Sequence, residues 1–363
     1  MSKDKSLRRE PLTDTMLLMT IAICIFVVMY ALSMVCFQGG FLRVQQVFDI
    51  LNDNAPLLIV GCGLTIVMIG GGIDISVGAI ASLVAMSCAL FINNTGNSGL
   101  SIFLAFLLAI GIGLAFGLLH GFLISYLEIQ PFIITLAGMF LARGLTTILS
   151  VNPQKVDVGT SPDGLTAFGK LMSANQNTIS VKALGYTAGN GNVIPARMEL
   201  GVVVAILCIA VIFVLTHFVK LGRGFYAIGG NQTSALMLGI NVKRTRFFSY
   251  IISGILSGIA GFVLLTHSGA GNATNAAGME MNAIAAAIIG GTLLTGGVGN
   301  VIGTFFGVLI LATTNKIVVA AALTDPWWQK ITTGGMLCLF ILMQSIILSF
   351  RTKRKSGTKQ EAQ

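Results

Sequence analysis

The sequence predicts an all-α, polytopic membrane fold of about ten transmembrane helices in two five-helix halves, with both termini cytoplasmic. Three observations carry this. The chain has 363 residues, of which 55% are hydrophobic and only 10% charged, with a mean hydropathy of +0.88. That composition excludes an ordinary soluble domain and a disordered chain. Apolar runs near the ~20 residues needed to cross a bilayer recur from end to end. The bases gather at the N-terminus (Lys3, Lys5, Arg8, Arg9), in one central loop and from Arg351 to Lys359. They read as cytoplasmic anchors. The net charge of +9 sits on no soluble basic face, which excludes nucleic acid as a partner. A cytoplasmic tail is expected at 1–14, a transmembrane domain at 15–350 and a basic cytoplasmic tail at 351–363.

The first span is expected from Thr15 to Cys36; it is longer than a signal-peptide core and lacks a convincing cleavage site. Phe41–Leu51 has roughly helical apolar spacing and suits a short helix in the outer interface. Pro56 then opens a second span that Gly70-Gly71-Gly72 ends. Asp74 follows, and a third span runs to about Phe91. A carboxylate between two apolar runs costs about 3 kcal/mol at a bilayer centre, so it faces protein or a wet cavity. The alternative is a short cytoplasmic turn with Asp74 capping the third span.

Leu100–Tyr126 is the fourth span. Its Gly111, Gly113, Gly117 and Gly121 suit close helix packing, and His120 reads as a packing histidine. Pro131 opens the fifth, Phe132–Leu149, which contains Arg143. Residues 151–196 are too polar to span and too long for a simple connection, so a folded outer loop is expected. Leu200–Phe218 is the sixth span. The cytoplasmic loop 220–246 follows, where Asn231 can cap and Gly239 can end a short helix offering Ala235, Leu236, Met237 and Leu238. That helix either lies on lipid headgroups or docks in a partner's groove. Phe247–Thr266 is the seventh span, a short segment from Glu280 to Thr292 the eighth, Val301–Ala321 the ninth and Gln329–Ser349 the tenth. An odd number of spans per half inverts the second half. The glycine breaks at Gly70–Gly72 and Gly296–Gly297 are expected to be equivalent points, each joining the second and third span of its half.

Ile69-Gly70-Gly71-Gly72-Ile73-Asp74-Ile75-Ser76-Val77-Gly78-Ala79 resembles the Gly-Gly-Ile-Asp-Leu-Ser-Val-Gly element of ribose-type permeases, the membrane subunits of bacterial ABC sugar importers. Ile75 replaces the usual Leu. Pro131–Gly144 is similar to the same permeases, closest to their galactofuranose-type branch. The loop Phe225–Val242 resembles their cytoplasmic coupling loop, and Glu280–Thr292 matches them too, with Asn282 where an Asp is usual. The resemblance covers most of the chain, excluding both tails and 151–196. It implies a multi-pass bacterial inner-membrane permease for a monosaccharide, a pentose or furanose, with the Pro131–Gly144 match leaning toward galactofuranose. The implied partners are a cytoplasmic ABC ATPase subunit that holds ATP and Mg, a second permease subunit (copy or paralogue) and a periplasmic sugar-binding protein. No cofactor is expected on this chain.

On this reading Gly71, Gly72, Asp74, Ser76, Gly78, Glu280, Asn282, Gly296 and Gly297 form the translocation pathway or its gate. Gly230, Asn231, Ala235, Leu236, Leu238, Gly239 and Ile240 couple to the ATPase. The chain has no G-x-x-x-x-G-K-[ST] loop, no H-E-x-x-H and no nucleophile elbow, so it is not expected to be an enzyme. The six cysteines form no ligand spacing, and neither metal nor disulfide is indicated. The rival reading is a stand-alone secondary transporter coupling ions through Asp74 and Glu280.

Overall fold

The computed structural model describes residues 10–37, 41–159, 164–187, 193–323 and 325–360. The expected N-terminal anchor Lys3–Arg9 lies outside these residues, as do 160–163 and 188–192 of the outer loop and 361–363. In chain order the elements are α1 Glu10–Cys36, α2 Val44–Ile69, α3 Val77–Asn94, α4 Gly99–Ser125, α5 Pro131–Leu149, β1 Gln154–Lys155, α6 Ala167–Gln176, β2 Ile179–Thr187 and β3 Val193–Met198. There follow α7 Leu200–Phe218, α8 Lys220–Gly230, α9 Gln232–Met237, α10 Val242–Ser268, β4 Ala270–Gly271, α11 Met279–Ile289, α12 Val301–Ala320 and α13 Pro326–Gln360. Among the described residues, eight helices are long and apolar enough to cross a membrane: α1 (from Thr15), α2, α3, α4, α5, α7, α10 and α12. The short apolar α11 and the long α13 occupy the remaining predicted segments.

Four helices make the interior. More than half of the apolar window of α2, α3, α10 and α12 is buried, against less than a third in α1, α4 and α5. Glycines let two backbones touch: Gly113 and Gly117 of α4 lie against Gly254 and Gly258 of α10, where a Cβ would strike main chain. Without a hydrophobic drive between helices in lipid, such contact is what holds them together. The opposing faces of α2 and α12 are joined by Thr65 Oγ1 and Thr304 Oγ1 at 2.6 Å.

Three expectations are corrected. The interfacial helix and the second span are one helix, α2, with Pro56 in its interior. The polar run ahead of Pro56 makes tertiary contacts: Asn52 Oδ1 accepts from the Glu199 amide at 2.9 Å and Asp53 pairs with Lys316 at 2.8 Å. The segment after Ser349 continues as helix to Gln360.

The third correction concerns the two glycine breaks. They do not occupy equivalent points of inverted halves; they lie side by side at one end of the bundle, joined by the Gly297 amide donating to the Ile69 carbonyl at 2.8 Å. Counting described spans, the first joins the second and third and the other the third and fourth of its half. The equivalent points are instead the beginnings of α3 and α11, as the site geometry shows. The stretch 151–196 is folded in its described part: α6 packs on α4, α7 and α10, β2 and β3 form an antiparallel hairpin, and β1 pairs with β4.

Candidate functional site

Helices α2 and α11 end in the same way. After Ile69, Gly71 is left-handed (φ +77°); its amide donates to Met68 O and that of Gly72 to Val67 O, both at 2.9 Å. After Ile289, Gly291 is left-handed (φ +93°); its amide donates to Ile288 O and that of Thr292 to Ala287 O, both at 2.9 Å. Each is a Schellman stop, which satisfies the last carbonyls of a helix and needs a residue without Cβ strain. The two exits touch. Gly296 packs on the Gly71 backbone and Gly297 on that of Gly230, at 2.8 and 2.7 Å from their Cβ positions.

The C-terminal end of α8 closes this knot. A Cβ on Gly229 would strike the Ile69 carbonyl oxygen and the Gly297 amide nitrogen. Tyr226 Oη donates to Gly299 O at 2.9 Å, and burial pushes its phenol up to about 12. From there Asn231 turns the chain, accepting the Ser234 amide at 2.8 Å, and starts α9. Ala235 faces inward, 1% exposed, against Ile228 and Val242, with Ile240 packed beside them. It is therefore not offered outward, as the sequence suggested, because one face of so short a helix must rest on its support. Leu236, Met237 and Leu238 project, 64%, 83% and 79% exposed. Gly239 ends the turn with φ +79°. Lys243 meets Glu128 at 2.8 Å nearby, and that bond holds the Glu128 carboxyl below its usual range.

Deeper in, residues 73–76 run without helix, and Asp74 is 1% exposed. Its Oδ1 accepts from the Ser76 amide (3.1 Å) and Ser76 Oγ (2.6 Å), and its Oδ2 from Ser253 Oγ of α10 (2.8 Å). Ser76 Oγ also lies 3.4 Å from His120 Nδ1. Tyr250 Oη, from α10, reaches Ile73 O at 3.4 Å and would collide with a Cβ on Gly72. Both carboxyl oxygens thus have partners, as buried polar groups require.

The first turns of α3 and α11 meet one turn further on. Gly78 lies against the Ala276 carbonyl and the Glu280 amide, and a Cβ there would strike Glu280 Oε2. Glu280, 6% exposed, accepts on Oε1 from Arg143 Nη2 of α5 at 3.1 Å. From this junction α3 runs to the end of the bundle that meets the 151–196 stretch, where Asn93 Nδ2 donates to Lys155 O. The α11 helix runs the other way, to the glycine knot. Two helix N-termini, each carrying partial positive charge and free amides, thus converge beside a carboxylate. The entries are related in sequence: Gly72-Ile73-Asp74-Ile75-Ser76 is echoed by Gly278-Met279-Glu280-Met281-Asn282. Asn282 is half-buried and joins none of these contacts.

Residues 46–341 match the family described as branched-chain amino acid transport system / permease component. The chain belongs to this family. It is similar to the inner membrane ABC transporter permease protein YjfF of Escherichia coli, 37% identical over 93% of this chain and 94% of that one. It is also similar to the fructose import permease protein FruG of Bifidobacterium longum, 32% identical over 92% of both chains. The ribose import permease protein RbsC of Bacillus subtilis is 32% identical over 84% of this chain and 86% of its own. No solved structure matches. The family is one of transport permeases rather than enzymes.

Eight of the nine expected pathway residues thus fall into two clusters, Gly71, Gly72, Gly296 and Gly297 in the knot and Asp74, Ser76, Gly78 and Glu280 at the buried junction, while Asn282 joins neither. The sequence reading passed over Gly229, Tyr226, Ser253 and Arg143. The echoed Gly-apolar-acid-apolar-polar pentad was the available signal for the junction.

Proposed function

We propose that this chain is the permease subunit through which an ABC importer moves a monosaccharide across the bacterial inner membrane. ATP and Mg would be held by a separate ATPase subunit. The observation that carries the reading is the path from α9 to the membrane interior. Its exposed Leu236, Met237 and Leu238 stand on α8, and the last turn of α8 holds Gly229, pressed into both glycine exits. A subunit that grips α9 would move the stops of α2 and α11 directly. Differential contact with that subunit is what biases the two states of the bundle. The junction of Asp74, Ser76, Gly78 and Glu280 then acts as gate, with a second permease copy or paralogue and a sugar-binding protein completing the assembly.

The sugars named for the relatives, fructose and ribose, support a monosaccharide, and the Pro131–Gly144 resemblance favours a furanose, galactofuranose first. Reconstitution into liposomes tests this. Uptake of a furanose, ribose, fructose and galactose should require the ATPase, the binding protein and ATP, and survive ionophores. Uptake without ATP that ionophores abolish would establish a secondary transporter, and uptake of branched-chain amino acids alone would reassign the substrate.

A further inference from the structure

Arg143 is unexplained by packing. It sits within α5, whose enclosed edge is Thr135, Gly138, Ala142 and Thr146, and its side chain is 27% exposed. A guanidinium carries five N–H donors; among the described contacts of Arg143, a single one is used, by Glu280 Oε1. An arginine at membrane depth faces protein or water rather than lipid. On its partner, Oε1 also accepts from the Gly278 amide at 3.3 Å, while Glu280 Oε2 is buried and has no hydrogen-bond partner among the described residues. Both charges stand where the N-termini of α3 and α11 converge.

We infer that Arg143, steered by Glu280, is a substrate-contact residue that reads sugar hydroxyls during passage. The inference rests on the permease reading above. The pair is neutral overall, so it does not hold an anion or a cation preferentially. It presents a fork of free donors next to a carboxylate acceptor, the complement of vicinal hydroxyls, each of which both donates and accepts. The Glu280 contact holds one arm of the fork, and the side chain stays 27% exposed.

The test compares ratios of uptake rates in the reconstituted complex, using D-ribose and 2-deoxy-D-ribose, D-galactose and 2-deoxy-D-galactose. The same binding protein serves every permease variant, so its own preferences cancel between variants. Arg143→Lys keeps the charge and loses the fork; the double variant Arg143→Gln, Glu280→Gln leaves no unpaired charge. Contact predicts that the parent-to-deoxy ratio changes by about tenfold in at least one sugar pair, the scale of one hydrogen bond to a charged group. A merely structural ion pair lowers all four rates by one common factor, and ratios within twofold of wild type in the variants that assemble would overturn the inference. Assembly is checked by size-exclusion elution with the ATPase. A wild-type complex that moves none of the sugars with ATP would instead overturn the permease reading, and this inference with it.

Discussion

The amide of Gly297 donates to the carbonyl of Ile69 at 2.8 Å, binding the exit of α11 to the exit of α2. The two chain segments are far apart in sequence, and each has just completed a Schellman stop. Their union gives α8 a single surface to push on. Close-packed backbones transmit displacement because they cannot compress, so a movement of α8 must reach both exits together.

Gly229 is the point where that push is applied. In Gly229→Ala the methyl must displace the Ile69 carbonyl or the Gly297 amide, and overpacking of this kind costs about 1–3 kcal/mol. Gly230→Ala is the control, since nothing lies within 4 Å of its Cβ position. Gly229→Ala should bind the ATPase yet lose sugar-stimulated hydrolysis, with a lowered Tm, while Gly230→Ala retains both. Equal behaviour of the two variants in a stimulated ATPase assay would remove Gly229 from the coupling path.

Leu238 tests the other end. At 79% exposure, Leu238→Asp should leave folding of the isolated permease within about 0.5 kcal/mol of wild type, as surface changes do. In a complex it would bury an unpaired charge and weaken association by several kcal/mol. Co-purification with the ATPase should fail while thermal stability of the free subunit holds. Undiminished co-purification would return α9 to the lipid headgroups.

Much of this was legible from residue patterns. Apolar run length located the spans, because that signal is local and additive along the chain. Asn231 and Gly239 marked α9 correctly since capping is decided within one turn. What depends on three-dimensional closure was not legible. Asn52 and Asp53 separate two apolar runs in the sequence, and only their partners Glu199 and Lys316 explain why α2 continues through them. The glycine breaks look like a repeated pair, yet chain direction brings them to the same end. Arg143 looked like an isolated charge until α11 brought Glu280 to it.

Tyr226 gives a pH-dependent expectation. Burial raises its phenol from the ordinary value near 10 to about 12. The folded state therefore keeps the proton longer than the unfolded one. Its contribution to stability is whole below about pH 10 and is lost as pH rises through about 12. Tyr226→Phe leaves the Gly299 carbonyl without its donor, at about 1–3 kcal/mol. The Tm gap between wild type and variant should stay constant from pH 6 to 9 and narrow above 10. A gap that changes within the neutral range would mean another group titrates against Gly299.

Asp74 separates gating from ion coupling. Its two oxygens gather the Ser76 amide, Ser76 Oγ and Ser253 Oγ, so it fastens the start of α3 to the middle of α10. An ion-coupling carboxylate must exchange its proton or cation in each cycle, and neutralising it would abolish coupled transport. A fastening carboxylate needs only its acceptors. Asp74→Asn keeps one acceptor oxygen and the size, and its amide can turn the oxygen to the Ser76 side while the Ser253 hydroxyl reorients. Asp74→Leu keeps no acceptor and leaves those buried donors unpaired, about 1–3 kcal/mol for each that finds no substitute. In reconstituted complex with ATP, Asn should transport at a reduced but measurable rate and Leu should not, with lower yield. Ionophores should leave the wild type unchanged. An Asn variant as inactive as Leu, in a wild type that ionophores silence, would make Asp74 a coupling group and this chain a gradient-driven transporter.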